Sequence, residues 1–316
     1  MRASSTAIIA GLGIALSATA AVAEFPENPI EVIIPYGAGG NSDTAGRILI
    51  NAMREVMDAD FVPLNVEGAG GTIGTAQLAA SDADGYTLGF NPIATVTIQP
   101  HLRPLPYDDT SFAPVCMVVD NPSAVTVAPD SPYQTMDDLI AAVRAGENIV
   151  AVGGAPGSMT HISQAMIANA YDVSWTYLPA GGGGRAAASI MSGEATFATD
   201  TSAMEAIHGL RTLAVTSPER VPGLENVPTL QELGVDVVST IWFGLFAPAG
   251  TPAEVLDTLS AACEAATATD SFIDGMASAN YIVRYMGREE FTTFFEEEYA
   301  RNRELLPVIG VALPAQ

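Results

Sequence analysis

The 316-residue chain contains no lysine. All 12 of its basic residues are arginines, set against 36 Asp and Glu, for a net charge of -24. Without lysine there is no phosphate-binding P-loop lysine and no Schiff-base chemistry. A surface of one sign repels nucleic acid and anionic membranes. Such acidity fits a saline habitat, whose ions screen self-repulsion, or a base composition that favours arginine over lysine. Cysteine is nearly as scarce, with Cys116 and Cys263 alone. In an oxidising compartment they can form one disulfide; unpaired, they would serve as small buried hydrophobes. The three histidines, His101, His161 and His208, are too widely spaced for a metal-ligand pattern. Beyond the N-terminus no uninterrupted apolar run reaches the length of about 18 residues that a spanning helix needs.

The N-terminus is different. Met1-Arg2, the apolar run Ala7 to Leu16 and the small-x-small triplet Ala21-Val22-Ala23 have the layout of a secretory signal, cleaved after Ala23. Export to the periplasm is the expectation. The remaining chain of about 290 residues suits two domains.

What the chain has in plenty is glycine between apolar segments. Ile30 to Ile34 reads as a buried strand running into Pro35-Tyr36-Gly37-Ala38-Gly39-Gly40-Asn41-Ser42-Asp43. A helix follows to about Met57, with Ile48, Leu49, Ala52, Met53 and Val56 on one face. Phe61 to Val66 is a second strand, running into Gly68-Ala69-Gly70-Gly71-Thr72-Ile73-Gly74. The spacing predicts further strands at Tyr86 to Phe90, Asn148 to Val152, Trp175 to Leu178, Ala195 to Ala198 and Leu213 to Thr216. Helices are expected at Met136 to Arg144 with Thr135 as N-cap, at Ser158 to Ala170, at Arg185 to Ser192, after Thr251 as N-cap with Pro252 at the first helical position, and from about Arg288 to Leu305. A third glycine turn is Gly153-Gly154-Ala155-Pro156-Gly157-Ser158, with His161 just beyond it; a fourth is Ala180 to Arg185.

This alternation predicts an α/β architecture with mainly parallel sheet, and ligands at the carboxyl ends of its strands. The apolar stretch Val115 to Val127 is too long and broken for one ordinary strand and reads as a passage between domains; Ser239 to Phe246 reads as the return. Two lobes joined by two crossings describe a hinged clamp. Glycine turns at helix N-termini present N–H donors and partial positive charge, a seat for an anion. The second turn lacks G-x-G-x-x-G spacing, because Ile73 stands where glycine is required, which disfavours a dinucleotide.

Taken in order, the first two turns, Asp84-Gly85-Tyr86-Thr87-Leu88, Pro156-Gly157-Ser158 with His161, the Gly182-Gly183-Gly184 run, Asp200, Leu213-Ala214-Val215-Thr216, Val227-Pro228-Thr229, and Gly244 with Ala247 to Pro252 resemble the tripartite tricarboxylate transporter receptor family, also called Bug proteins. The resemblance runs from about Pro26 to Leu306. It implies a two-lobed periplasmic-binding-protein fold of the Venus-flytrap, type II-like kind with two interdomain crossings. The expected domains are 24–120 with 243–316, and 121–242. It further implies a monomer with no catalytic activity and no cofactor, handing a small organic acid to integral membrane transporter subunits. By the same resemblance Tyr36, Gly40, Asn41, Ser42, Gly70, Gly71 and Thr72 line a proximal carboxylate site through backbone N–H groups and bridging waters. Ser158, Thr160, His161, Gly182, Gly183 and Asp200 line the distal half.

The chain departs from the family pattern in places. Val66-Glu67 stands where a basic residue and proline are common, and Ala180-Gly181 replaces a usual Tyr-Lys. No side-chain cation is therefore expected at the second turn, and the distal pocket is reshaped. Several residues keep two readings. Asp43 either complements its helix terminus or meets a ligand amine. Asp200 either caps a helix at Thr201 or faces the ligand, where it would suit an amine, a hydroxyl or a protonated acid. His161 either caps its helix or lines the pocket, and Arg185 either attracts a carboxylate or is solvated. Ser158, His161 and Asp200 are also the residue types of a hydrolase triad, but the G-x-S-x-G elbow is missing. A chemosensory receptor would use the same binding chemistry as a transport receptor.

Overall fold

A computed structural model describes residues 25–57, 59–180 and 182–311. The expected signal segment and its cleavage after Ala23 lie outside the described residues, as does Gly181 of the fourth turn. The chain begins with β1 (Ile30–Ile34), α1 (Asn41–Met57), β2 (Phe61–Asn65), α2 (Thr72–Ala79) and β3 (Thr87–Pro92). A π-helical turn, Ala94–Ile98, continues into the short α3 (Gln99–Leu102). After β4 (Phe112–Val127) come α4 (Met136–Arg144), β5 (Val150–Gly153), α5 (Met159–Tyr171), β6 (Thr176–Pro179), α6 (Gly183–Met191), β7 (Phe197–Thr201), α7 (Met204–His208) and β8 (Arg211–Val215). The return is β9 (Thr240–Pro248), followed by α8 (Ala253–Thr267), α9 (Asp270–Ser278), β10 (Val283–Met286) and α10 (Arg288–Val308).

The strands form one curled sheet in the order β2-β1-β3-β9-β4-β7-β5-β6, with β8 and β10 also on β4. In the first lobe β1 pairs in parallel with β2 and β3, and in the second β5 pairs in parallel with β6 and β7, but β4 and β9 pair antiparallel with all their neighbours, so the sheet is mixed rather than mainly parallel. Every residue of β1 but Glu31 is buried, as a strand covered on both faces requires. α1 holds on through Ala45, Leu49, Ala52 and Met53, which recur at helical spacing and are all buried, whereas Val56, expected on that face, is exposed near the helix end. Each full-size side chain on that stripe contributes roughly 1.5–3 kcal/mol by leaving water. α4 starts where expected, with Thr135 and Asp138 forming a reciprocal capping box.

β4 corrects one expectation. The stretch read as too long for one strand is a single 16-residue strand that serves both lobes. Phe112 to Pro122 pairs with β9, and Ser123 to Val127 pairs with β7 and β8, so the passage between lobes is made without leaving the strand. Register shifts after Pro114 and Met117 take up the sheet's twist along it. Beside it the return enters at Ser239, whose backbone bonds both Ser123 and Thr216. α8 is also capped differently: Pro252 is the N-cap residue and the Thr251 hydroxyl turns back to the Pro248 carbonyl. Cys116 of β4 and Cys263 of α8 form a disulfide across 147 residues of sequence. The first lobe's core gathers Phe61, Phe90, Trp242, Phe246 and Phe291; Met159 and Ile162 of α5 join it from the second lobe. The second lobe has its own core around Leu139, Ile140, Ile167 and Phe197.

Candidate functional site

The first two glycine turns meet at the carboxyl ends of β1 and β2. Asp43 lies in the first turn of α1, 4% exposed. Its carboxylate accepts the Gly39 N–H at 2.8 Å, Arg47 Nε at 2.8 Å and Asn65 Nδ2 at 2.9 Å. Burial alone would raise its pKa, but these three donors together hold it below the ordinary value. Asp43 is thus the anchor of the first turn, in keeping with its helix-terminus reading.

The second turn is a short 3-10 segment, Ala69–Gly71, in which Gly70 and Gly71 take φ of 71° and 90°. A Cβ on Gly71 would stand 2.6 Å from the Thr95 methyl and 3.2 Å from the Tyr36 ring. The π-helical turn carrying Thr95 and the side chain of Tyr36 therefore form the floor of this turn, and only glycine fits there. The Tyr36 hydroxyl donates to the Gly70 carbonyl at 3.1 Å. Burial pushes its pKa up to about 12, against the pull of Arg103. Thr72 is buried, with its hydroxyl on the Ala69 carbonyl at 3.0 Å. Two amides expected to face a ligand donate within their own turns instead: Gly71 to the Gly68 carbonyl at 2.9 Å, and Gly40 to Gly37 at 3.3 Å. Ser42 is buried in the first turn of α1.

From the second lobe, β7 brings Asp200 to the first turn. Asp200 is 5% exposed, and Oδ1 accepts the Thr201 N–H at 2.7 Å and Asn41 Nδ2 at 3.4 Å. Oδ2 accepts no bond among the described residues and faces Gly183, whose Cβ would lie 3.2 Å away. Burial pushes the Asp200 pKa up to about 6 despite the two donors. Asp200 lies inside β7, and no helix starts at Thr201, so the helix-cap reading is corrected; α7 begins only at Met204.

The third turn is held by its own side chains. Thr160 Oγ1 accepts the Gly154 N–H at 2.7 Å and sits 2.9 Å from Ser158 Oγ. Ser158 caps α5 by accepting the His161 N–H. His161 Nδ1 accepts the Gly157 N–H at 3.2 Å, and the ring packs on Tyr177 at 4.3 Å. Burial holds the His161 pKa below its usual value. The Tyr177 hydroxyl donates to the Gly154 carbonyl at 2.7 Å. In the fourth turn Gly182 is exposed, with open space about its Cβ position. Arg185 is exposed, as its solvated reading requires.

Two residues of this region were not foreseen. Gln99 opens α3 and Arg103 follows it by four positions; together they stand between the second and third turns. The cation thought missing at the second turn is thus supplied from another segment. The only signal in the sequence is the Gln-x-x-x-Arg spacing in a chain with few arginines. Among the described residues no group of three or more His, Cys, Asp or Glu could hold a metal ion, and no helix is long and apolar enough to cross a membrane.

Residues 46–311 match the family described as "Tripartite tricarboxylate transporter family receptor". That span starts just after the first glycine turn and takes in the other three. The chain is 30% identical over 292 residues to protein BugT of Bordetella pertussis, covering 86% of this chain and 88% of that protein. Among solved structures it resembles the periplasmic binding protein BugD at 29% identity and TM-score 0.82, over 91% of this chain and 99% of that one. It also resembles Rpa4515 of R. palustris, solved with adipate, at 26% identity and TM-score 0.83, over 92% and 99% of the two chains.

Proposed function

Because this chain belongs to the tripartite tricarboxylate transporter receptor family of periplasmic solute-binding proteins, we propose that it captures a small organic carboxylate between its lobes and delivers it, as a monomer, to membrane subunits of such a transporter. The observation that carries this reading is the meeting of Asn41 with Asp200, 159 residues apart, at the mouth of the glycine turns. On this reading residues 24–120 with 243–316 form one domain and 121–242 the other, and the chain is exported by a signal segment cleaved after Ala23. The carboxylate sits at Tyr36, Gly40, Asn41, Ser42, Gly70, Gly71 and Thr72. First-turn amides of α1 and α2, which have no partner inside their helices, supply its donors. The distal end lies among Ser158, Thr160, His161, Gly182, Gly183 and Asp200. A buried carboxylate there favours a ligand that presents a donor: a hydroxyl, an ammonium or a protonated acid.

Binding without turnover fits the bonding of the residues that resemble a triad. Ser158 Oγ accepts a bond from the His161 backbone, and the imidazole Nδ1 accepts the Gly157 N–H, so that nitrogen is already engaged and not free to take a serine proton. A thermal-shift screen over mono-, di- and tricarboxylates, adipate and aromatic acids included, tests the reading. A binder of the folded state raises the melting temperature. At least one acid should do so; a rise with sugars or metal ions and with no acid would overturn it.

A further inference from the structure

Gln99 is 1% exposed although its side chain ends in a polar amide, so the bonds of that amide must account for its burial. Its Nε2 donates to the Gly157 carbonyl at 3.2 Å and lies 3.5 Å from that of Pro156, both in the third turn. Its Oε1 accepts Arg103 Nη2 at 2.5 Å and Nε at 3.1 Å. Arg103 Nη2 also donates to the Ala69 carbonyl of the second turn at 2.9 Å. An unbroken line of hydrogen bonds therefore runs from the second lobe, through Gln99 and Arg103, to the first. The third turn is shaped to it: Gly157 has φ +79°, and a Cβ there would stand 2.8 Å from Gln99 Nε2 and 2.7 Å from Leu102.

Arg103 also keeps a free donor beside the second turn. The ion pairs among the described residues use Arg47, Arg220, Arg284, Arg288 and Arg301. Among the described residues Arg103, like Arg54, Arg144, Arg185, Arg211 and Arg303, pairs with no carboxylate. Its Nη2 lies 3.5 Å from the Cβ position of Gly70, against the backbone of the turn itself. Nε and Nη2 are held by Gln99 and Ala69, which leaves the Nη1 donors for a further acceptor.

We propose that Gln99 and Arg103 form a clasp across the cleft, in which Gln99 fastens the third turn and aims Arg103 at the carboxylate beside the second turn. The proposal rests on the carboxylate reading above and adds the residue that senses the charge. When the lobes part, Gln99 loses the Gly157 carbonyl, its amide is free to turn, and the guanidinium loses the oxygen that fixes its fork. Closure and recognition of the anion then occur together.

The probes are adipate and its neutral diamide, measured by calorimetry on the full chain, with amide hydrogen exchange at Gly154 and Gly157 measured without any acid. Wild-type protein should prefer adipate. Arg103→Gln should weaken adipate about ten- to hundredfold, the range for one charged hydrogen bond, and abolish the preference, while Arg103→Lys restores part of it. Gln99→Leu, close to the native volume, should speed exchange at Gly154 and Gly157 with no ligand present. Undiminished adipate binding by Arg103→Gln would overturn Arg103 as the charge sensor. Unchanged exchange in Gln99→Leu would overturn the clasp. If the wild-type protein takes neither adipate nor any other acid, the carboxylate reading fails, and the exchange measurement alone decides whether the clasp exists.

Discussion

Asp43 and Asp200 stand at the two ends of one contact region, 4% and 5% exposed, and their environments are opposite. Asp43 has three donors within 2.9 Å and a lowered pKa. Asp200 has one backbone N–H, one long amide contact and a pKa pushed up to about 6. Similar exposure therefore says little about role; at Asp200 desolvation outweighs the few donors, while at Asp43 the three donors outweigh it. Asp43 is an ionised carboxylate that stabilises the first turn. Asp200 is costly to ionise as it stands, which is the condition of a group whose partner arrives with the ligand.

Removing each carboxylate tests this contrast. Asp43→Ala leaves Gly39, Arg47 and Asn65 without their acceptor. Arg47 is 43% exposed, so water screens much of the ion pair. The amide donors carry most of a loss of about 3 kcal/mol. A denaturation midpoint equal to wild type would remove Asp43 as the anchor. The pH dependence has a definite sign. Asp43, with a lowered pKa, gives stability that is present above the unfolded carboxylate value and lost as pH falls through the folded one.

Asp200 runs the other way. Its folded pKa of about 6 lies above the ordinary 3.8, so its favourable contribution is full below 3.8 and is lost as pH rises through about 6. Asp200→Asn should therefore stabilise the protein above pH 7, by no more than about 3 kcal/mol at 1.36 kcal/mol per pKa unit, and show no gain near pH 3. The same variant should weaken binding of a ligand that brings a cationic donor. Melts at pH 3 and 8 check the two stability predictions. A variant less stable than wild type at pH 8 would mean that the charge is structurally compensated after all.

The contrast between the two aspartates was only partly legible in the sequence. Asp43 was readable because an acid in a first helical turn has a local role, set by its own helix. The strands and α1 were readable for the same reason, since their periodicity is local. Asp200 was not, because its environment depends on Asn41, brought to it by the meeting of the lobes. β4 was misjudged because its length serves two lobes at once. Gln99 and Arg103 went unnoticed because nothing near them in sequence marks a cleft; the partners Gly157 and Ala69 are 58 and 34 residues away.

The glycine turns repeat the contrast on a smaller scale. Gly71 is enclosed, with Thr95, Tyr36 and the Pro35 carbonyl all within 3.3 Å of its Cβ position and φ +90°. Gly71→Ala should cost roughly 1–3 kcal/mol from strain and overlap, and should weaken acid binding because the Tyr36 floor must shift. Normal stability with normal affinity would take the second turn out of the site.

Gly184 is the opposite case. It lies in the first turn of α6 with nothing within 4 Å of its Cβ position. Alanine there should stabilise the helix by about 0.5–1 kcal/mol, since glycine loses more freedom on folding. If the fourth turn bounds the pocket only through Gly183 and its approach to Asp200, affinity for an acid should stay at the wild-type value. A Gly184→Ala protein that melts higher yet binds more weakly would show that the open space beside the fourth turn is filled when ligand is present. The distal wall would then extend one residue further along α6 than the contact with Asp200 marks.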